Sequence, residues 1–454
     1  MFDRLLLIEL ENWAANSDRK PLIIRGARQV GKTTLVNQFA GQFKQYIYLN
    51  LELPEDRKPF EQFKTVETLL QTLFFLRNLP LSNKKETLLF IDEIQLVPEA
   101  VNVLRYFYEQ EPGIFVIAAG SMLESLFDQN IHFPVGRVEY RILRPVSFPE
   151  FLSAIGEDSA LGALHQIPIA SFAHDKLLQL FHTYALIGGM PGIVKQYAEQ
   201  KDFTVLASIY DSLITSYLED VEKYAISSAQ VIHIRHAIRT SFSEAGKRIK
   251  FEGFGNSGYG SREMGDALRT LEKAMLIHLV FPQTNVTLPL MPNVKRSPRL
   301  QVLDTGLLNY FVGIQNEIIG TVDLNKVYQG TMIEHLVGQE LLASQFLSLS
   351  SLYFWIREKT TSSAEVDYLY PYESKLIPIE VKSGVAGKLK SLQLFMEMAP
   401  HAMAIRFYAG ELNITESTTP NGKKYKLLNL PYYLVSQTYK YIGWLEQTMN
   451  KTIN

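Results

Sequence analysis

The sequence predicts an α/β fold that begins with a parallel sheet, covered on both faces and carrying a phosphate-binding loop. Three observations predict it. Gly26-Ala27-Arg28-Gln29-Val30-Gly31-Lys32-Thr33 reads GxxxxGKT between an apolar run, Pro21–Ile24, and a helical pattern, Thr34–Phe43. A second apolar run, Thr87–Ile91, ends in Asp92-Glu93, as suits a central strand buried on both faces. Strand-like and helix-like segments alternate over the first 120 residues, the pattern of βαβ units.

Each element of the loop has a physical reason. Two glycines let the backbone curl around a phosphate without a Cβ in the way. The loop N–H groups and the following helix N-terminus offer donors and partial positive charge. Gly26, Ala27, Arg28, Gln29, Val30, Gly31, Lys32, Thr33 and Thr34 are therefore the expected nucleotide contacts, together with Asp92. Lys32 would reach the β- and γ-phosphates of a bound nucleotide, while Thr33 and Asp92 would hold Mg²⁺. Glu93 is placed to polarise the attacking water. Tyr46–Leu51 is an expected strand, Phe60–Leu79 and Glu99–Tyr108 expected helices, and Ile114–Ala119 a further strand ended by Gly120-Ser121.

With 454 residues the chain exceeds one ordinary core, and two to four domains are expected. A net charge of −2 excludes a chain saturated with nucleic-acid-binding charge but leaves room for a local basic patch. Without cysteine there are no disulfides, thiolate metal sites or cysteine nucleophile, which is compatible with the expected cytoplasmic location. The first helix, Phe2–Ala15, mixes acids with leucines and shows no cleavable signal pattern; no charge-free apolar stretch of about 18 residues is present, so no membrane span or membrane partner is expected. Residues Asn450–Asn454 are expected to fray.

From about Ala160 to Glu222 the pattern is helical, broken at Gly188-Gly189-Met190-Pro191-Gly192. This region is the expected lid over the nucleotide, with the break either a hinge or a plain connector. Between Val231 and Pro292, a helix start at Ser261, an apolar stripe through Ala267, Leu268, Leu271, Ala274 and Met275, and apolar His278–Phe281 suggest a winged helix. Gly253–Gly260 reads as a connector. Arg235 to Arg299 holds eleven Lys/Arg against five Asp/Glu, a local balance of +6 that suits DNA phosphates or a solvated face; winged helices also serve as protein-contact modules. Further on come a helix, Thr331–Ala343, with Glu334 in its first turn, and strands Leu352–Ile356, Glu365–Leu369 and Leu376–Val381. Gly384 and Gly387 then lead into another helix. Strand alternation puts Glu380 and Lys382 on one side and Val381 on the other.

GARQVGKTTL, LLFIDEIQ, FPVGRVEYRILRPVSFPEF, YALIGGMPGIV, ITSYLEDVEKY and LQVLDTGLLNY together resemble the prokaryotic AAA-family ATPases that carry a C-terminal domain of unassigned function. The resemblance covers nearly the whole chain. It implies that Ser121 is a γ-phosphate sensor, with a plain strand-end serine as the alternative. It implies that Arg137 is either an arginine finger or a structural partner of Glu139 or Glu150. Ala118-Ala119-Gly120-Ser121 departs from the commoner Thr-Gly-Ser pattern. The order helical Glu334, strand Asp367, strand Glu380-x-Lys382 is similar to a restriction-endonuclease-like fold with a PD-(D/E)xK site. In that site Glu334, Asp367 and Glu380 would hold Mg²⁺ or Mn²⁺, and Lys382 would steady the attacking hydroxide.

The full expectation is a P-loop NTPase sheet (1–155), a helical lid (156–225), a winged-helix module (226–299) and a restriction-endonuclease-like domain (300–454). The expected function is an ATPase that controls a nuclease-like domain acting on DNA. The alternative is an ATP-dependent switch that binds nucleic acid or a protein without cutting. A small-molecule kinase is disfavoured by Asp92-Glu93 and the appended domains. Homo-oligomerisation is plausible, because AAA-type sites are often completed between subunits.

Overall fold

The apolar runs of the N-terminal region align as five parallel strands: β1 (Leu22–Arg25), β2 (Gln45–Asn50), β3 (Thr87–Asp92), β4 (Phe115–Gly120) and β5 (Glu139–Ile142). Their order is β2-β3-β4-β1-β5, so β4 lies between the strand carrying the phosphate loop and the strand ending in Asp92. The chain is described by a computed structural model over residues 2–121, 136–223, 225, 227–314, 330–359, 362–383 and 389–453. Gly384 and Gly387 lie outside the described residues. Alternate strand residues enter two cores. Ile23, Leu49, Leu89, Ile91 and Val116 pack under the helices Pro54–Gln62, Val66–Leu76 and Pro98–Gln110. Leu22, Ile24, Leu88, Phe90 and Ile117 pack under Leu6–Ala15 and Lys32–Ala40.

Several boundaries differ from the sequence reading. The helix expected over Phe60–Leu79 is two helices, because Thr65 forms a reciprocal capping box with Thr68 and starts a new one. β5 was not anticipated: it is a four-residue edge strand with charged Glu139 and Arg141, so its apolar signal is weak. Gly253–Gly260 is anchored rather than a bare connector, since it holds a one-turn helix with Phe254 buried.

Past the sheet, the helices Phe148–Ala154, His174–Ile187, Pro191–Gln200 and Ala207–Asp220 enclose an aromatic cluster of Phe148, Phe151, Phe181 and Tyr184. The helices Ser228–Ser243 and Ser261–Lys273 then pack on one another. They are followed by β6 (Ile277–Val280), β7 (Pro282–Gln283) and β8 (Arg299–Val302), with β6 and β8 antiparallel. β7 leaves this hairpin and pairs in parallel with β9 (Phe354–Lys359), which also pairs with β10 (Ser362–Val366). The last sheet runs β11 (Tyr368–Tyr372), β12 (Lys375–Val381), β13 (Met403–Tyr408), β15 (Lys424–Pro431) and β14 (Asn413–Thr418), with β12, β13 and β15 mutually parallel. The strand expected over Glu365–Leu369 breaks at Asp367, where the chain steps from the small sheet to the large one. The helix Gly330–Ala343 packs on β12, and the helix Thr438–Ile453 reaches into the tail expected to fray, of which Asn454 lies outside the described residues.

A buried polar node joins these parts. Gly189 N–H donates to Asp304 Oδ2 at 2.5 Å, and its carbonyl accepts Val146 N–H at 2.7 Å. Glu340 accepts Phe148 N–H at 3.1 Å and the Tyr184 hydroxyl at 2.5 Å, while Gln339 accepts both the N–H and the hydroxyl of Thr305. A Cβ on Gly189 would lie 2.3 Å from the Val146 carbonyl oxygen, which is backbone and cannot rotate aside. Gly189→Ala is expected to cost about 1–3 kcal/mol, read as a lowered Tm. Burial pushes the Glu340 carboxyl up to about 7 from its ordinary 4.5. The folded chain therefore keeps this proton where the unfolded chain has lost it, and stability falls as pH rises between those two values. Glu340→Gln is expected to flatten that dependence and to gain on the order of 1–3 kcal/mol relative to wild type at high pH, checked by melts at acid and alkaline pH.

Candidate functional site

The loop after β1 turns at Gly26, where a Cβ would meet the Leu143 carbonyl oxygen at 2.4 Å, so only glycine lets the two backbones approach. Lys32 is 6% exposed, and its ammonium donates to the carbonyls of Gly26 (2.9 Å) and Ala27 (3.0 Å). Burial lowers its pKa, and the nearby Glu93 and Asp92 carboxylates oppose that shift. The Thr33 hydroxyl donates to Asp92 Oδ2 at 2.6 Å, and Asp92 Oδ1 accepts Glu93 N–H at 3.0 Å. Burial raises the pKa of both Asp92 and Glu93. Glu93 has φ of 52°, an uncommon conformation for a non-glycine residue, and its carboxylate accepts the Gln95 amide at 2.5 Å.

These residues border a cleft of about 670 Å³ whose walls include Arg28, Gln29, Gly31, Lys32, Thr33, Thr34 and Glu93. Asp92 stands behind Thr33, and Gly26, Ala27 and Val30 form the loop's inner side. The opposite wall was not read from the sequence as part of the site: Phe2 and Arg4 from the N-terminus, and Pro191, Gly192 and Lys195 from the region expected to be a lid. The Gly188–Gly192 break therefore faces the phosphate loop. Ser121 follows directly after β4, is half-buried and is not on the cleft wall. Arg137 is also off the wall. It pairs with Glu109, not with Glu139 or Glu150 as expected; Glu139 lies 3.8 Å from Arg141.

Two contacts brace the loop. Arg4 donates to Glu150 Oε1 (3.0 Å), to the Val30 carbonyl (3.0 Å) and to the Arg144 carbonyl (2.6 Å), with both side chains buried. Arg28 pairs with Asp220, which Lys223 also approaches at 3.1 Å, and the Arg28 carbonyl accepts the Tyr217 hydroxyl at 3.0 Å. The helix Ala207–Asp220 thus touches the phosphate loop directly.

The second site lies where β12 ends. Asp367 Oδ2 accepts Val381 N–H at 2.7 Å, Lys382 donates to Glu380 Oε1 at 2.6 Å, and the Glu334 carbonyl accepts the Tyr368 hydroxyl at 2.7 Å. All three carboxyls are held above their ordinary range, Glu334 at about 7 and Glu380 at about 8. Burial is the first cause for all three; for Glu334 and Glu380 the Asp367 charge is the second, while Arg299 and the Val381 N–H oppose the shift of Asp367. The four residues singled out in the sequence thus share one electrostatic neighbourhood. Glu380 Oε2 is buried with no hydrogen-bond partner, and three crowded hard oxygen donors suit a divalent cation. Among the described residues, however, no group of three His, Cys, Asp or Glu is spaced as a formed metal shell.

The sequence reading assigned Arg299 to a basic surface; instead it is buried against this cluster. It donates to the Asp367 carbonyl at 2.9 Å, pairs with Glu365, and lies over Phe354 and Tyr368. Burial alone would lower its pKa, but Tyr368, Glu365 and Asp367 outweigh that and raise it. Arg248 and Arg296 both pair with Glu358 at 2.7 Å. Three of the eleven basic residues are therefore engaged by two acids, Glu358 of β9 and Glu365 of β10. On the helix Ser261–Lys273, Arg262, Arg269 and Lys273 are matched by Glu263, Asp266 and Glu272. Trp355 and Tyr368 are fully buried core residues, as expected.

Comparison with known proteins identifies the first part. Residues 18–152 match the model of a family described as an AAA domain. Residues 178–318 and 329–433 match two families described as domains of unknown function, DUF8612 and DUF4143. No curated protein matches. Solved structures that resemble the chain include a Walker-type ATPase of Pyrococcus abyssi (18% identity, 69% of this chain and 96% of that one, TM-score 0.44). Drosophila ORC bound to DNA (14%, 68% and 84%, 0.23) and AMPPCP-bound DnaA from Aquifex aeolicus (12%, 59% and 86%, 0.25) are others. The N-terminal region is an AAA-type P-loop ATPase domain. No helix among the described residues is long and apolar enough to cross a membrane.

Asp220→Asn removes a negative charge that faces Arg28 and leaves the cleft more positive. ATP affinity is expected to rise roughly fivefold, about 1 kcal/mol, in calorimetric titration.

Proposed function

We propose that this chain is an ATP-hydrolysing AAA-type protein whose nucleotide state governs a metal-dependent, nuclease-like C-terminal site acting on DNA. One observation carries the reading: Glu334, Asp367, Glu380 and Lys382, scattered over 49 positions of sequence, come into one neighbourhood at the carboxyl end of β12. In the N-terminal cleft Lys32 exchanges the two loop carbonyls for phosphate oxygens. Thr33 and Asp92, already joined at 2.6 Å, are the oxygen pair that would hold Mg²⁺. Glu93, its pKa raised by burial, orients and deprotonates water. Ser121 is the proposed sensor, from its place at the end of the strand between the loop and Asp92. When bound, divalent cations neutralise phosphoryl charge and acidify water at either site. In the C-terminal site Glu334, Asp367 and Glu380 would hold Mg²⁺ or Mn²⁺, and Lys382 would steady hydroxide.

Control has a physical route. The helix Gly330–Ala343 carries Glu334 into the acid cluster and, further along, Glu340 against Phe148 N–H of the ATPase domain. The helix–helix–hairpin order of residues 228–302 supports a winged-helix module. Its second helix, Ser261–Lys273, carries three basic residues against three acids, which favours a protein contact over a phosphate contact for that helix. The second reading, a non-cleaving switch, draws support from the missing three-ligand shell among the described residues.

Lys32→Ala is expected to abolish ATP turnover. Glu380→Ala is expected to leave ATP turnover intact and to abolish cleavage of labelled single- and double-stranded DNA in Mg²⁺ or Mn²⁺. A wild-type protein that turns over ATP and cuts neither form, with or without nucleotide, selects the switch.

A further inference from the structure

Sheet register sets a row of polar side chains beside the acid cluster. Glu380 of β12 stands opposite Arg406 of β13, Arg406 opposite Asn429 of β15, and Asn429 opposite Asn413 of β14. Side chains two apart on a strand share a face, so Lys382 and Tyr408 extend the row. Val381 and Phe407 enter the apolar core on the other face. The helix Lys390–Met398 covers the lower part of the polar face, packing Leu392 and Phe395 against Leu376, Ala404 and Leu427. The polar row lies above it, at the carboxyl ends of three parallel strands, where α/β sheets bind ligands.

Arg406 is held in place. Its guanidinium lies 4.5 Å from the centre of the Tyr408 ring; the Tyr408 hydroxyl accepts the Asn413 amide at 2.7 Å, and Asn413 Oδ1 accepts the buried Asn429 amide at 2.8 Å. Glu380 and Arg406 are opposed in register, yet among the described residues they form no ion pair. Each keeps a buried atom without a partner, Glu380 Oε2 and Arg406 Nε. Glu380 instead takes Lys382. A bidentate pair between opposed neighbours would have satisfied both groups; instead Lys382 takes Glu380, and the Arg406 guanidinium keeps donor capacity beside the acid cluster.

We propose that Arg406 is a substrate-binding residue of the C-terminal site. With Lys382 it flanks Glu380 and takes the non-bridging oxygens of a nucleic-acid phosphodiester, which rests on the nuclease-like reading above. A guanidinium fork suits two phosphate oxygens, and stacking on Tyr408 orients it before the ligand arrives.

The test uses the full chain and fluorescence anisotropy with a labelled DNA duplex and its single strand in Ca²⁺, across a salt series. Arg406→Gln is expected to raise Kd about tenfold and to lower the slope of log K against log salt by about one. Arg406→Lys should restore the slope but not the full affinity. Unchanged ATP turnover in each variant checks the fold. If wild type binds DNA and Arg406→Gln matches it in Kd and slope, the role of Arg406 is overturned and the nuclease-like reading stands. If wild type binds neither DNA form, both are overturned.

Discussion

The buried pair of Arg4 and Glu150 is the contact on which the ATPase half depends. Glu150 accepts Arg4 Nε, Leu5 N–H and Ser147 N–H, and so caps the start of one helix while anchoring the approach to another. Arg4 passes the constraint to the phosphate loop through the Val30 carbonyl. Losing one member of such a pair leaves an uncompensated buried charge, on the order of 3–5 kcal/mol. The surrounding hydrogen bonds make the arrangement tolerable, because nearly every polar atom of the two side chains has a partner.

A second constraint is continuity of packing. The core under β1 and β4 runs without a break through Phe148, Tyr184 and Leu307 to Ile379 and Phe407 of the last sheet. Into this apolar mass the chain places Asp304, Gln339 and Glu340, each fully or almost fully buried and each hydrogen-bonded across elements distant in sequence. Such networks demand one geometry, because a partner moved by an ångström leaves a buried polar group unsatisfied. The helix Gly330–Ala343 is thereby tied to the ATPase domain near one end and to the acid cluster near the other. The Gly188–Gly192 segment at the nucleotide cleft joins the same node through Gly189.

Charge behaves differently here from what composition suggests. The excess of basic residues between Arg235 and Arg299 looks like a surface for phosphates, but Arg248, Arg296 and Arg299 are taken up by Glu358 and Glu365. Those acids lie more than fifty positions later, beyond the reach of any local count. Arg28 is similar: within its motif it is a phosphate contact, and in the fold it also meets Asp220, 192 positions away. Arg137 meets Glu109 on a neighbouring helix, because it precedes β5 at the amino ends of the parallel strands, whereas the phosphate loop leaves β1 at the carboxyl end.

What the sequence determined by itself was local chemistry. Phosphate binding needs glycines, a lysine and a hydroxyl within eight residues, and a buried strand needs a run of apolar residues before its terminal acids; short-range sterics and solvation set both. Strand alternation likewise put Glu380 and Lys382 on one side, where they do meet. Tertiary structure alone decided which distant groups complete each site: Arg4 and Lys195 at the cleft, Arg299 at the acid cluster, and the break of a strand at Asp367. These depend on how sheets and helices pack, and packing free energy is shared over many weak contacts that leave no mark on any one stretch of sequence.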